Sequence, residues 1–176
     1  FIAAIDEIGE LVRVTEPVSV HLEMCEIADR AMKLPAGGPA LLFERPVLRD
    51  GTTSAYPVAI NLFGSMKRMA LALGVEQLDE HGARITQLMD LKVPEGLVGK
   101  LSLLPRLFAV SKFPPRVKHG APPCQEIVWQ GDEIDLDRIP VLTTWPEDGG
   151  PFFTMTAVIS KDPSRGIRNV GMYRVQ

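Results

Sequence analysis

Cysteine is nearly absent from this chain, and the two that occur, Cys25 and Cys124, lie far apart and outside any C-x-x-C pattern. That excludes a zinc ribbon and a disulfide framework. Cys25 reads as a small thiol packed in a helix, and Cys124, after Pro122 and Pro123, as a partly buried thiol with no His beside it to make it a nucleophile. Histidine is equally sparse: His21, His81 and His119 are isolated, and no pair has the i,i+4 spacing that sets two ligands on one helical face. There is no excess of positive charge, since the net charge is -3 and the pI about 5.6. A nucleic-acid binder needs clustered Lys and Arg to neutralise phosphates, so that class is excluded. No apolar run approaches the roughly 18 residues needed to cross a bilayer, and no signal peptide is visible. The expected location is the cytoplasm. The one modestly basic stretch, Lys100 to Lys118, reads as a solvated linker, with peripheral contact with an anionic inner-membrane surface as its alternative.

Hydrophobic residues make up 45% of the chain and charged residues 23%, enough apolar surface for a core and too little charge bias for disorder. The first residue is Phe1 and the last, Gln176, lies in a strand-like run, so the sequence reads as a piece of a longer protein. Its first half alternates helix and strand signals. Phe1, Ile2, Ile5 and Ile8 share a helical face, Gly9 follows as a C-terminal cap, and Leu11 to Val14 read as a strand. Ser19 is the expected N-cap of a helix turning Leu22, Cys25, Ala28 and Met32 inward, with Glu26 and Arg30 paired outward. Ala40 to Phe43 and Val58 to Leu62 are short buried strands expected to pair, with Asp50-Gly51 as a turn between them. Ser65 caps a helix from Met66 to Leu73 that ends at Gly74, and another follows from about Glu76 to Leu91. Gly64 with Ser65 offers helix-terminal N–H groups, but nothing around it completes a phosphate loop.

Prolines between Pro94 and Pro123 break any long element, apart from a short apolar helix at Leu101 to Val110, and mark a boundary. The expected organisation is an N-terminal α/β domain over 1–93, a Pro-rich linker over 94–123 and a strand-rich domain over 124–176. Gln125 to Gln130 and Pro140 to Thr144 read as strands. Phe153, Met155, Ala157 and Ile159 then alternate with Thr154, Thr156, Val158 and Ser160, and Asp162 to Gly166 turn into a last strand. The acidic run Asp132, Glu133, Asp135 and Asp137 lacks the glycine and terminal Glu of a calcium loop and reads as a solvated turn. Thr143 to Pro151 gathers hydroxyls, Trp145 and the carboxylates of Glu147 and Asp148 in one loop. It is either a binding loop or a rigid connection in which Trp145 caps the core.

The last strand carries the densest chemistry: Asn169 supplies a neutral oxygen and Arg174 a permanent cation, with Gly171 between them. Residues five apart on a regular strand face opposite ways, so a shared site requires a kink at Gly171. The alternative is an exposed hairpin strand with a solvated arginine.

Together these segments resemble the UbiD family of prenylated-flavin-dependent decarboxylases. The resemblance is carried by Gly9-Glu10-Leu11-Val12-Arg13-Val14, Leu22 to Arg30, Gly38 to Glu44, Asn61-Leu62-Phe63-Gly64-Ser65 with Arg68, Asp135 to Pro140, Trp145-Pro146-Glu147-Asp148 and Asn169 to Arg174. It implies a mixed α+β fold, a small N-terminal α/β domain followed by the first strands of a split β-barrel that binds flavin. It also implies reversible non-oxidative decarboxylation of an aromatic or α,β-unsaturated (acrylic) acid, 4-hydroxy-3-polyprenylbenzoate of ubiquinone synthesis being the best-known case. By the same resemblance, Asn169 binds a divalent metal, usually manganese, that bridges to the phosphate of the prenylated FMN. The Val170 carbonyl serves a potassium ion in some members. Met172, Tyr173 and Arg174 line the cofactor, and Arg174 is the arginine of a Glu-Arg-Glu catalytic network. A flavin prenyltransferase supplies the cofactor, and the protein is a homo-oligomer. With so few of the site's polar groups present, this chain alone is expected to be inactive. A non-catalytic assembly module and an ordinary FMN-binding split-barrel protein are the competing readings.

Overall fold

Ala40–Phe43 form a strand, β3, in which all four residues are buried, as a continuous apolar run should be when both faces are covered. The computed structural model describes residues 1–89 and 119–176. Strand β1 (Leu11–Val14) lies parallel to β3, Leu11 opposite Ala40, and β5 (Val58–Ile60) lies antiparallel on the other side, Leu42 opposite Ala59. The sheet order is β1-β3-β5. A parallel pair needs a crossover, which α2 (Glu23–Met32) supplies. A smaller parallel pair joins β2 (Val18–Ser19) to β4 (Pro46–Val47). The core gathers Val18, Val20, Met24, Ala28, Leu41 and Phe43. Phe43 is wholly buried, a contribution of about 2–3 kcal/mol from its apolar surface.

Helix α1 (Ile2–Glu7) ends before Gly9, whose φ of +71° suits a residue without Cβ. Helix α3 (Met66–Leu73) has the expected limits. The Ser65 hydroxyl accepts the Arg68 N–H at 3.2 Å, and Gly74 closes the helix in the left-handed conformation. Helix α4 spans Leu78–Met89. Helix α2 departs from expectation at its start. Ser19 stays in β2, its hydroxyl accepting the His21 N–H and its own N–H donating to the Glu23 carboxylate at 2.8 Å. The helix begins after Leu22, at φ +68°, and turns Met24 and Ala28 inward while Met32 stays exposed. The Glu26–Arg30 pair forms at 2.7 Å.

Two expected strands do not form. Residues Pro123–Gln125 make a 3-10 turn, and no ladder includes Gln125 to Gln130. Among the described residues, Pro140 to Thr144 makes only an isolated bridge from Thr143 to His21, the Val141 N–H going to the Ile139 carbonyl and the Leu142 carbonyl to the Phe152 N–H instead. The hairpin β6 (Phe153–Lys161) and β7 (Arg168–Val175) forms as expected, and the acidic run is exposed. The fold is mixed α+β. Phe1–Leu78 and Asp135–Gln176 make one compact unit, and Asp79–Ile134 a second. The expected linker over 94–123, the Leu101 to Val110 helix and the basic stretch at 100–118 fall almost entirely outside the described residues. No helix among the described residues is long and apolar enough to cross a membrane.

Candidate functional site

The hairpin turn is tied by one carboxylate: Asp162 Oδ1 accepts from the hydroxyl and N–H of Ser164 and from the N–H of Arg165. The Ser164 hydroxyl and then these amides hold the Asp162 pKa below its ordinary value. The ladder then runs Lys161 opposite Arg168, Ser160 opposite Asn169 and Val158 opposite Gly171. Its one irregularity lies on β6, between Phe153 and Thr156. The kink expected at Gly171 is therefore on the partner strand, and β7 alternates without interruption.

That alternation decides which side chains meet. Asn169, Gly171 and Tyr173 share one face of β7, and Val170, Met172 and Arg174 the other. The Tyr173 ring lies against Gly171, where a Cβ would come within 2.4 Å of Cε2. Glycine here makes room for a ring on the same face, rather than bending the strand. Asn169 and Arg174 point to opposite faces, and the structure does not bring them together. All but Gly171 in this group are exposed.

Arg174 has a defined seat. Its guanidinium carbon lies 3.7 Å from the centre of the Phe152 ring, and Nη2 is 3.9 Å from Asp148 Oδ1. The other Asp148 oxygen accepts the Trp145 N–H at 3.0 Å, closing the 145–148 turn. This loop is fixed at both ends. Thr143 is buried, accepts a hydrogen bond from Arg49, and exchanges backbone bonds with Val20 and Leu22. Phe152 donates its N–H to the Leu142 carbonyl at 3.1 Å. Trp145 is 64% exposed and does not cap the core, which removes the main support for a purely structural loop. Beneath the loop, Cys25 lines two clefts of about 390 Å³ each. Burial pushes the Cys25 thiol pKa up, a hydrogen bond with Thr144 works against it, and the charge of Asp148 adds to the rise. Cys124 is exposed, not partly buried as expected.

A second polar cluster escaped sequence reasoning. Arg68 is fully buried, and its Nη1 donates to Glu10 Oε2 at 2.6 Å and to the Gly38 carbonyl at 2.8 Å, while Nη2 reaches the Asn61 carbonyl. Asn61 in turn donates to the carbonyls of Gly37 and Pro39. Burial alone would raise the Glu10 pKa, but hydrogen bonds from Lys67, Arg68 and Ser65 and the Lys67 charge outweigh it and hold it below the ordinary value. No spacing signature announces a pair so distant in sequence. The cluster backs a cleft of about 770 Å³ that includes Glu10, Phe63, Ser65 and Lys67.

Residues 2–85 match the description "3-octaprenyl-4-hydroxybenzoate carboxy-lyase N-terminal domain", and residues 115–176 match "3-octaprenyl-4-hydroxybenzoate carboxy-lyase Rift-related domain". An uncharacterized protein of Aquifex aeolicus (strain VF5) is 44% identical over 177 residues, covering 100% of this chain and 35% of that protein. Among solved structures, an evolved dimeric form of the UbiD-class enzyme HmfF from Pelotomaculum thermopropionicum, in complex with prFMN, is 26% identical with a TM-score of 0.66 over 99% of this chain and 34% of that one. The vanillic acid decarboxylase of Sedimentibacter hydroxybenzoicus, in open form with truncated ShVdcD, is 26% identical with a TM-score of 0.71 over 99% of this chain and 33% of that one. The chain thus spans about a third of the length of these relatives. Its two halves match successive domains of one family in order, and the chain belongs to the UbiD family of decarboxylases.

Proposed function

We propose that the protein carrying this chain is a prenylated-FMN-dependent decarboxylase of an aromatic or α,β-unsaturated acid, with Arg174 receiving the substrate carboxylate. The carrying observation is the β7 face on which an exposed guanidinium follows two exposed apolar side chains, Val170 and Met172. A flat, largely apolar cofactor with an anionic substrate beside it suits such a face. Arginine stays protonated and can hold a carboxylate by two parallel N–H···O bonds, so it orients the bond to be broken without titrating. When bound, the prenylated flavin supplies the electron sink that the side chains lack. This chain contributes position and charge.

Asn169 is assigned to a divalent cation, manganese, by way of its amide oxygen, and the Val170 carbonyl to potassium. Both are hard neutral donors of the type such ions take. Among the described residues no group of three His, Cys, Asp or Glu side chains accompanies them, so Asn169 would be one ligand of a larger set. Since Asn169 and Arg174 lie on opposite faces of β7, the metal and the substrate carboxylate are assigned to opposite sides of the strand. Met172, Tyr173 and Arg174 are assigned to the cofactor, and the hairpin to the opening of a split barrel. Domain limits of 1–93, 94–123 and 124–176, a homo-oligomer, and cofactor supply by a flavin prenyltransferase complete the proposal. A polyprenylated hydroxybenzoate is one substrate within this class, and the vanillic acid decarboxylase among the similar structures favours keeping the class as broad as aromatic acids.

The test is carbon dioxide release from a panel of aryl and acrylic acids by the complete protein loaded with manganese and prenylated FMN. Turnover that disappears when plain FMN is substituted supports the proposal. Equal turnover with plain FMN, or none with any acid, overturns it.

A further inference from the structure

We propose that Phe152 is a positioning residue for Arg174, holding the guanidinium by its face so that its N–H edge stays open to a carboxylate, with Asp148 as a displaceable counter-ion. The inference rests on the assignment of Arg174 to the substrate carboxylate. A guanidinium is planar, and all five of its donors lie in that plane. Stacking on an aromatic face therefore restrains the plane without consuming a donor. Arg174 Cζ lies over the Phe152 ring, 3.7 Å from its centre, a distance that leaves room for the guanidinium plane to lie against the ring face.

The ring is itself fixed. Phe152 is half-buried, bonds to Leu142 through its N–H, and belongs to the wall of the cleft that holds Cys25 and Leu142. Arg174 is 53% exposed on a strand that, among the described residues, pairs only with β6, so without the ring its long stem would be free to sample many rotamers. Asp148 completes the arrangement. It is held by the Trp145 N–H, yet its nearer oxygen stops 3.9 Å from Nη2, beyond hydrogen-bond reach. Close enough to attract the cation and too far to occupy its donors, it is a competitor that an incoming carboxylate can displace. Arg68 and Glu10, by contrast, are joined by a direct hydrogen bond of 2.6 Å in the same unit.

The test uses the complete protein and two probes of one shape, benzoate and the neutral benzamide, with binding measured by calorimetry. Phe152→Leu should weaken benzoate by about three- to tenfold and leave benzamide within twofold, and Phe152→Tyr should restore the wild-type value. Asp148→Asn, which keeps an acceptor for the Trp145 N–H, should tighten benzoate and not benzamide. Equal losses for both probes in Phe152→Leu, or weaker benzoate binding in Asp148→Asn, would overturn the inference. Should Phe152→Leu fail to fold, the sign of the Asp148→Asn effect still decides. Benzoate binding that falls in Arg174→Met but not in Phe152→Leu defeats this inference alone. Benzoate binding indifferent to Arg174→Met defeats the assignment beneath it as well.

Discussion

Arg68 carries a full charge with no exposed surface, and Glu10 is its counter-ion at 2.6 Å. Such a pair is asymmetric in its consequences, since removing one partner leaves the other charge buried and uncompensated. Glu10→Gln should lower stability at neutral pH by about 3 kcal/mol, the low end for breaking a buried pair because Glu10 keeps 23% of its side chain exposed, measured by chemical denaturation. The pH dependence has a definite sign. The Glu10 pKa is lower in the folded protein than its ordinary value of 4.5, so the native state binds fewer protons than the unfolded one. Its contribution is complete above that ordinary value and is lost as pH falls through the folded value. Wild type and Glu10→Gln should thus differ in melting temperature at pH 7 and converge on acidification. A constant gap down to low pH would contradict this origin. Ser65 was legible in the sequence because a cap and its helix are neighbours. The Glu10–Arg68 pair was not, because it joins the segment before β1 to helix α3, 58 residues apart, which the fold alone brings together.

At the scale of elements, the turn before β3 depends on glycine. Gly38 has φ +58°, and a Cβ there would lie 1.9 Å from the Ala31 carbonyl oxygen at the end of α2. Gly51, at φ +85°, has open space around its Cβ position. Gly38→Ala should therefore cost at least about 2 kcal/mol, strain plus a backbone clash, and Gly51→Ala about 1 kcal/mol from strain alone. Thermal unfolding of the two variants side by side checks the contrast. The elements read correctly from sequence, β3, α3 and the β6–β7 hairpin, have their periodicity and their stop signals in adjacent residues. Those misread show what local pattern lacks. Gln125 to Gln130 alternates like a strand, but no described strand pairs with it. Ser19 has the chemistry of a cap, yet its N–H is taken by Glu23 and its residue by β2. Gly171 signals an unusual backbone and instead accommodates the Tyr173 ring, a side-chain contact that spacing does not encode.

Across the whole molecule, the hairpin stands out for the apolar surface it leaves exposed. Met155, Ile159, Val170 and Met172 are each more than 60% accessible. An exposed apolar hairpin of this size is a surface for a ligand or for further protein. The proposed function assigns the Val170–Met172–Arg174 face of β7 to the first. The candidate site was legible as a set of residues and not as a geometry. Asn169, Val170, Met172, Tyr173 and Arg174 were all marked by the resemblance, but strand alternation divides them between two faces, and Phe152 and Asp148 join Arg174 through tertiary contact.

The most direct measurement is turnover by Arg174→Ala in the complete protein loaded with prenylated FMN and manganese, with flavin content read from the absorbance of the same sample. The account predicts retained flavin and carbon dioxide release reduced by about a hundredfold or more, as expected when a group in a cooperating site is removed. Undiminished release from a flavin-loaded Arg174→Ala protein would contradict it.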